Sequence, residues 1–207
     1  MSIKIIVEGG GEGGTSVREC RRGFEAFFGK MLQGRDKASI TPAGGRNEAF
    51  KLFRATLPNL GKGDHVVLLV DSEGPISESD DPWEYVLRNG DDWLRPELAT
   101  PDDLHFMVQC IEAWFLSDIP ILSSYYGAKF KPNKLPKPVN GKDVEKHLKV
   151  SIFKGLKAAV KPCNPDGYAK SDAFEIIRLI HPDRVCKVSY FARRLKERLY
   201  TVSPLRD

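Results

Sequence analysis

Paired cysteines are missing from this chain of 207 residues. Cys20, Cys110, Cys163 and Cys186 are scattered, with no CxxC pair and no histidine at zinc-finger spacing. That excludes the usual structural zinc patterns and favours four reduced thiols in a cytoplasmic protein. Long apolar runs are missing too. The longest near the middle, Val66 to Val70, is far too short to span a membrane. The opening Met1-Ser2-Ile3-Lys4 leads straight into a short apolar strand, with no charged leader or cleavage site. No Gly-Lys-Ser/Thr follows the glycine-rich segment, so a P-loop is excluded. No internal repeat is visible. Net charge is small, at +4 from 32 basic and 28 acidic residues. The length is that of one ordinary domain or one domain with an appendage, and it buries a sound core without staples.

The distribution of charge says more than its sum. Residues 1–120 hold 13 basic and 20 acidic side chains, a net −7, whereas residues 121–207 hold 19 and 8, a net +11. An acidic first part joined to a basic second part suggests two jobs, and basic surfaces attract phosphate polymers such as nucleic acid. The first part reads as alternating strands and helices. Ile3 to Val7 is a β-rich run ending in Glu8-Gly9-Gly10-Gly11-Glu12-Gly13-Gly14. Ser16 and Glu19 form a capping-box pattern, and Val17, Cys20, Phe24, Phe27, Phe28 and Met31 recur at helical spacing. Ala38 to Ile40 predicts a second strand, and Phe50, Phe53 and Leu57 a helix ended by Pro58. His65 to Val70 reads as a central strand covered on both faces. A fourth strand, His105 to Cys110, runs into a helix carrying Glu112, Trp114 and Asp118. This order predicts an α/β domain over 1–120 with a mostly parallel sheet flanked by helices.

The second part, 121–207, reads as a basic helical extension. Lys129 to Lys142, with Pro132, Pro136 and Pro138, predicts an extended connection or a bound arm. Val144, Leu148, Ile152 and Leu156 predict one helix, Phe174 to Ile180 a second stopped near Pro182, and Phe191, Leu195 and Leu199 a third. His105, His147 and His181 share no spacing and are expected at the surface.

Gly9, Gly11 and Gly14 satisfy GxGxxG in the strand–turn–helix context of dinucleotide binding. Glu8 and Glu12 lie where a pyrophosphate would sit, and Thr41-Pro42 stands where a ribose-binding acid would end the second strand. Those acids point elsewhere. Ligands of open parallel sheets sit at the carboxyl ends of strands, where Glu8 ends the first and Asp71 the third. With Glu73, they would crowd one crevice and repel unless protonated or bridged by a cation. Hard oxygen ligands suit Mg²⁺ or Mn²⁺. In Asp71-Ser72-Glu73 both acids reach one ion if Ser72 turns outward between them. The bland alternative is that Asp71 and Glu73 cap a helix while Glu8 is solvated.

Val7-Glu8-Gly9-Gly10-Gly11-Glu12 resembles the first signature of Toprim domains, in the VEG-x-x-E form of the overcoming-lysogenization-defect (OLD) nucleases. Leu69-Val70-Asp71-Ser72-Glu73-Gly74 resembles their second signature, a strand ending in DxD, with Glu73 at the second acid. Met107 to Trp114 and Tyr168-Ala169-Lys170 look like a small Toprim-like family that accompanies ATPases in phage defence, as in the second protein of AbiL-type abortive-infection systems. The resemblance implies a Toprim-like sheet and metal-dependent cleavage of DNA or RNA, in concert with an ABC- or AAA-type ATPase subunit. It implies acid/base or metal work for Glu8, metal binding by Asp71 and Glu73, and a further metal ligand in Glu12. Glu112 and Asp118 are candidates for an additional site. Gly9, Gly10 and Gly11 are candidate phosphate contacts, as are Lys146, Lys149, Arg193 and Arg194 on the basic part. Two other readings compete: a non-catalytic Toprim-like subunit that regulates or docks onto the ATPase, and a nucleotide-cofactor enzyme built on the GxGxxG turn.

Overall fold

The computed structural model describes residues 2–11, 13–137 and 143–205. Four strands, β1 (Ile3–Val7), β2 (Ala38–Pro42), β3 (His65–Asp71) and β4 (Leu104–Met107), form one sheet. All pair in parallel, in the order β2-β1-β3-β4. Helix α1 (Gly14–Met31) links β1 to β2, α2 (Arg46–Thr56) links β2 to β3, and α3 (Pro82–Arg88) lies between β3 and β4. The chain then forms α4 (Glu112–Phe115), α5 (Ile119–Tyr126), α6 (Lys149–Val160), α7 (Ala173–Leu179), α8 (Pro182–Val188) and α9 (Tyr190–Thr201).

Strand alternation divides the core into two layers. Ile5, Val7, Val67 and Leu69 face α1 and the C-terminal helices. Ile6, Val66, Leu68 and Val70 face α2 and α3, against Phe53, Trp83 and Val86. The continuous apolar run in β3 therefore has cover on both sides. The α1 stripe seen in the sequence is buried at Cys20, Phe24, Phe27, Phe28 and Met31. Gly23, on the same helix, is where α7 crosses: a Cβ there would lie 2.4 Å from the Phe174 carbonyl oxygen. Only glycine permits so close a helix contact.

Several expectations need correction. Helix α1 starts at Gly14 with Gly13 as N-cap and no side-chain cap, so Ser16 and Glu19 lie inside it and form no capping box. Helix α6 starts at Lys149; Val144 and Leu148 precede it, the first buried and the second exposed. Pro182 does more than stop α7, because it opens α8. Helix α3 carries a local start signal: Asp81 caps it, its Oδ1 accepting from the Trp83 and Glu84 amides at 2.8 and 3.1 Å ahead of Pro82 at the first helical position. His105 is buried in β4, not at the surface. Burial, then the neighbouring Arg194, pushes its pKa down to about 3, so it is neutral.

Of the two readings of the segment after Lys129, the bound arm holds as far as Lys137, since Phe130 and Leu135 are buried. Pro138 and Lys142 lie outside the described residues. Residue 120 falls within α5, and one apolar cluster joins β1, β3 and α1 to Ile152, Ile176 and Leu195 of α6, α7 and α9. Among the described residues, no helix is long and apolar enough to cross a membrane.

Candidate active site

Helix α1 leaves β1 on one face of the sheet, and α2 brings the chain back on the other to β3. In doubly wound sheets the crevice between such strands, at their carboxyl ends, is where ligands bind. Glu8 follows β1 directly and Asp71 is the last residue of β3; the register pairs Val7 with Leu69, which leaves the two acids one position apart at the carboxyl edge. Glu8 Oε2 accepts the Asp71 amide at 3.1 Å. Asp71 Oδ1 accepts the Ile111 amide at 3.0 Å, and its Oδ2 lies 3.7 Å from Lys149 Nζ.

Both carboxyls hold protons more readily than usual. Burial pushes Asp71 well above the ordinary aspartate range; Glu8, Glu112 and Glu73 add to this by charge while Lys149 opposes them. Burial likewise raises Glu8, with the Asp71 amide and Arg46 pulling it back. Arg46, the first residue of α2, is 3.8 Å from Glu8 Oε2 and donates to the Asp71 carbonyl oxygen. Its guanidinium is already committed to Asp91, through bonds of 2.7 and 2.6 Å, and rests over the Trp93 ring. Four carboxyls, those of Glu8, Asp71, Glu73 and Glu112, thus share the crevice with Lys149, Lys170 and a largely neutralised arginine. Fully ionised, the acids would outnumber the cations.

The glycine turn closes one side. Gly9, Gly10 and Gly11 have φ of 135, 93 and 50°, conformations that favour glycine. A Cβ on Gly10 would lie 3.2 Å from Val17 Cα, so the turn lies close against the first turns of α1. Gly9 and Gly44 exchange backbone hydrogen bonds of 2.8 and 2.9 Å, tying the turns after β1 and β2 together. The resulting cleft is about 450 Å³, with Met107, Ile111 and Phe174 as apolar wall and Ser16, Lys170 and Ser171 among its other lining residues. The first-turn amides of α1 have no partners within their helix, and Ser16 brings that turn to the cleft.

The structure brings Glu8, Asp71 and Gly9–Gly11 together, and Glu112 joins them. Glu112 lines the cleft, 3 % exposed, and accepts from the Tyr168 hydroxyl at 2.9 Å. Glu73 is close but turned aside, with Lys149 Nζ at 2.8 and 2.7 Å from its two oxygens. Ser72 points inward, not outward: it is buried, and its hydroxyl donates to the Gly74 carbonyl oxygen at 2.6 Å. Among the described residues, therefore, no group of three or more His, Cys, Asp or Glu side chains is arranged to hold an ion. Glu12 lies outside the described residues.

Asp118 is elsewhere. It is fully buried, with Arg184 Nη1 at 2.6 Å and the His181 amide at 3.2 Å, and serves to pin α8 to the start of α5. Lys149 belongs to the crevice. Lys146 pairs with Asp143 at the surface. Arg193 donates to the Cys186 carbonyl oxygen, and Arg194 to those of Leu104 and Pro101 and to Asp102, so both are engaged within the chain.

Sequence reasoning missed Arg46, Gln109 and the cleft position of Lys170. Arg46 had a signal, because Gly44-Gly45-Arg46 follows β2 much as Glu8-Gly9-Gly10 follows β1. Gln109 had none: its carbonyl oxygen accepts the Glu73 amide and its Oε1 the Lys149 amide, each at 3.1 Å, contacts that only the fold brings together.

A family model described as Domain of unknown function (DUF4276) matches residues 7–199, which takes in both the glycine turn and the C-terminal helices. No curated protein and no solved structure matches the chain.

Proposed function

The chain belongs to the DUF4276 family, and for this member we propose a divalent-metal-dependent site that hydrolyses phosphodiesters of DNA or RNA. The observation that carries the reading is the meeting of Glu8 and Asp71, both with raised pKa, in a crevice where carboxyls outnumber cations, beneath a glycine turn. That surplus calls for protons or a cation. The donor set is all carboxylate, which suits Mg²⁺ or Mn²⁺. Asp71 would hold the ion, with Glu73 as a second ligand once freed from Lys149 and Glu8 either a further ligand or the proton acceptor. A bound ion there supplies activation of water and stabilisation of a leaving oxygen.

The chain's own groups then divide the remaining work. The elevated pKa of Glu8 suits it to take up a proton at its carboxylate. The backbone of Gly9 to Gly11 admits a phosphate without a Cβ in the way, and the first turn of α1 favours its charge. Lys170 stands at the same cleft as a further cation. The resemblance to Toprim-like proteins of phage defence extends the proposal to an ABC- or AAA-type ATPase partner and a role in abortive infection.

Incubating the purified protein with DNA and with tRNA, under Mg²⁺, Mn²⁺ or chelator, tests the reading. Cleavage that needs the metal and disappears in Asp71→Ala supports it; full metal-dependent cleavage by Asp71→Ala removes its basis. A second reading has its own observation. Lys149 and Tyr168 already satisfy Glu73 and Glu112, as in a Toprim-like fold that only docks onto an ATPase. Co-purification with the ATPase and no cleavage under any metal would favour it.

A further inference from the structure

Lys149 is the first residue of α6, yet its side chain turns into the crevice. Its ammonium donates to both Glu73 oxygens at 2.8 and 2.7 Å and lies 3.7 Å from Asp71 Oδ2. One cation therefore spans both acids of Asp71-Ser72-Glu73. Both ends of this bridge are anchored on Gln109. The Glu73 amide donates to the Gln109 carbonyl oxygen at 3.1 Å, and the Lys149 amide donates to Gln109 Oε1 at 3.1 Å. Gln109 is 3 % exposed, and its Nε2 has no hydrogen-bond partner among the described residues. Glu73 stands at φ 62°, a left-handed conformation that costs energy for a residue with a Cβ. The left-handed backbone at Glu73 accompanies the contact of its carboxylate with the lysine.

The contact is firm in geometry but weak as a lock. The Glu73 side chain is 51 % exposed, and ion pairs open to solvent contribute little to stability. Leu148 and Val150, on either side of Lys149, are also exposed. The lysine has four carbons of flexible stem, so it can swing away without unwinding α6.

We infer that Lys149 is a tethered counter-cation: its ammonium takes the place at which a divalent ion would be shared by Asp71 and Glu73, and the ion enters when Lys149 leaves. The inference rests on the metal-dependent reading of this site and adds its regulation. An ammonium offsets only part of the carboxylate charge and brings no Lewis acidity, so the lysine-bound form is a resting form. Any partner or substrate phosphate that draws Lys149 outward would favour metal loading. Apparent affinity scales with the fraction of molecules whose site is open, so a site closed nine times in ten binds its ion about tenfold more weakly.

Direct Mn²⁺ binding, read by electron paramagnetic resonance of the free ion and by calorimetry, tests this without reference to cleavage. The proteins compared are wild type, Lys149→Met, Lys149→Gln, Lys170→Met and Asp71→Asn. Both Lys149 variants should bind Mn²⁺ about tenfold tighter than wild type, the gain set by the closed fraction. Lys170→Met, which removes a positive charge from the same cleft but not from the acids, should change affinity much less. If the Lys149 variants gain no more than Lys170→Met while Asp71→Asn still loses binding, the metal site stands and the tethered counter-cation is wrong. If neither wild type nor Lys149→Met binds Mn²⁺, the metal-dependent reading falls, and this inference with it.

Discussion

The crevice holds a partly buried aspartate and the α5–α8 junction a fully buried one, and they treat it in opposite ways. At the junction, Asp118 is fully buried and met by a guanidinium at 2.6 Å and an amide at 3.2 Å. At the crevice, the Asp71 carboxyl accepts the Ile111 amide at 3.0 Å but has no close counter-charge: the Lys149 ammonium stands 3.7 Å off, nearer to Glu73, and Glu8 adds a like charge. The junction neutralises its charge and so builds structure. The crevice leaves charge unbalanced, a cost that folding alone gives no reason to retain. Buried like charges that displace each other's pKa values mark candidate functional sites.

The largest effect separating the two regions should be on activity. Glu8→Gln should lower metal-dependent cleavage by about 10²- to 10⁴-fold, the range for loss of a positioned acid/base group, and Asp71→Asn should do the same or more. Both should leave thermal stability unchanged or raised, since each removes a repelling charge. Asp118→Asn should do the reverse, lowering the melting temperature while sparing per-molecule activity of the folded fraction. If Asp71→Asn destabilises as Asp118→Asn does, the crevice is merely another structural pair.

Next in size is the junction itself. Arg184→Met strands the Asp118 carboxylate in the core, which should cost about 3 kcal/mol by urea denaturation. The guanidinium is half exposed and its loss leaves an opening for water, so the value belongs at the low end of the range for broken buried pairs. A loss below about 1 kcal/mol would class the contact with solvent-exposed pairs.

Gly23→Ala joins the two regions. Its Cβ would lie 2.4 Å from the Phe174 carbonyl and 2.7 Å from Ile177 Cγ2, so α7 must move off α1. Overpacking of this kind costs about 1–3 kcal/mol. Because Phe174 also walls the cleft, activity should fall together with stability, as a shared denaturation and cleavage assay would show.

The sequence showed one region far better than the other, for a physical reason. The four strands, the acids at the ends of β1 and β3, and the glycine turn are local patterns: apolar runs, a strand end, a residue that tolerates positive φ. They could be read from a few neighbouring residues each. The partners could not. Asp71 and Asp118 look alike in the sequence, each an acid beyond an apolar run, and what separates them is Arg184 in one case and Lys149 in the other, both far along the chain. The same holds for His105, whose burial depends on α9 laying Arg194 against β4. Helix α3 was legible from Asp81-Pro82, whereas the inward turn of Ser72 was not, because it follows from a loop closing on Gly74.

The smallest effect, and the one that sharpens the contrast in the crevice, is in pH. An acid whose folded pKa is raised binds more protons folded than unfolded at intermediate pH, so its protonated form favours the fold. For Asp71 and Glu8 that contribution is full below their unfolded values, near 3.8 and 4.5, and is lost as pH rises through the elevated folded values. One such proton can tilt stability by at most about 1.4 kcal/mol per pH unit. Asp183 runs the other way: its bond to Lys196 lowers its pKa, so it helps the fold above the unfolded value and loses that help in acid. Urea denaturation in chelator at a series of pH values should therefore give wild type a downward slope above pH 4 that Asp71→Asn flattens. Asp183→Asn should leave that slope in place and improve the relative stability only at the acid end. Saturating Mn²⁺ should also flatten the wild-type slope, because an ion on the crevice favours the deprotonated acids. A wild-type slope untouched by both Asp71→Asn and Mn²⁺ would mean that the crevice carries no excess charge for a cation to answer.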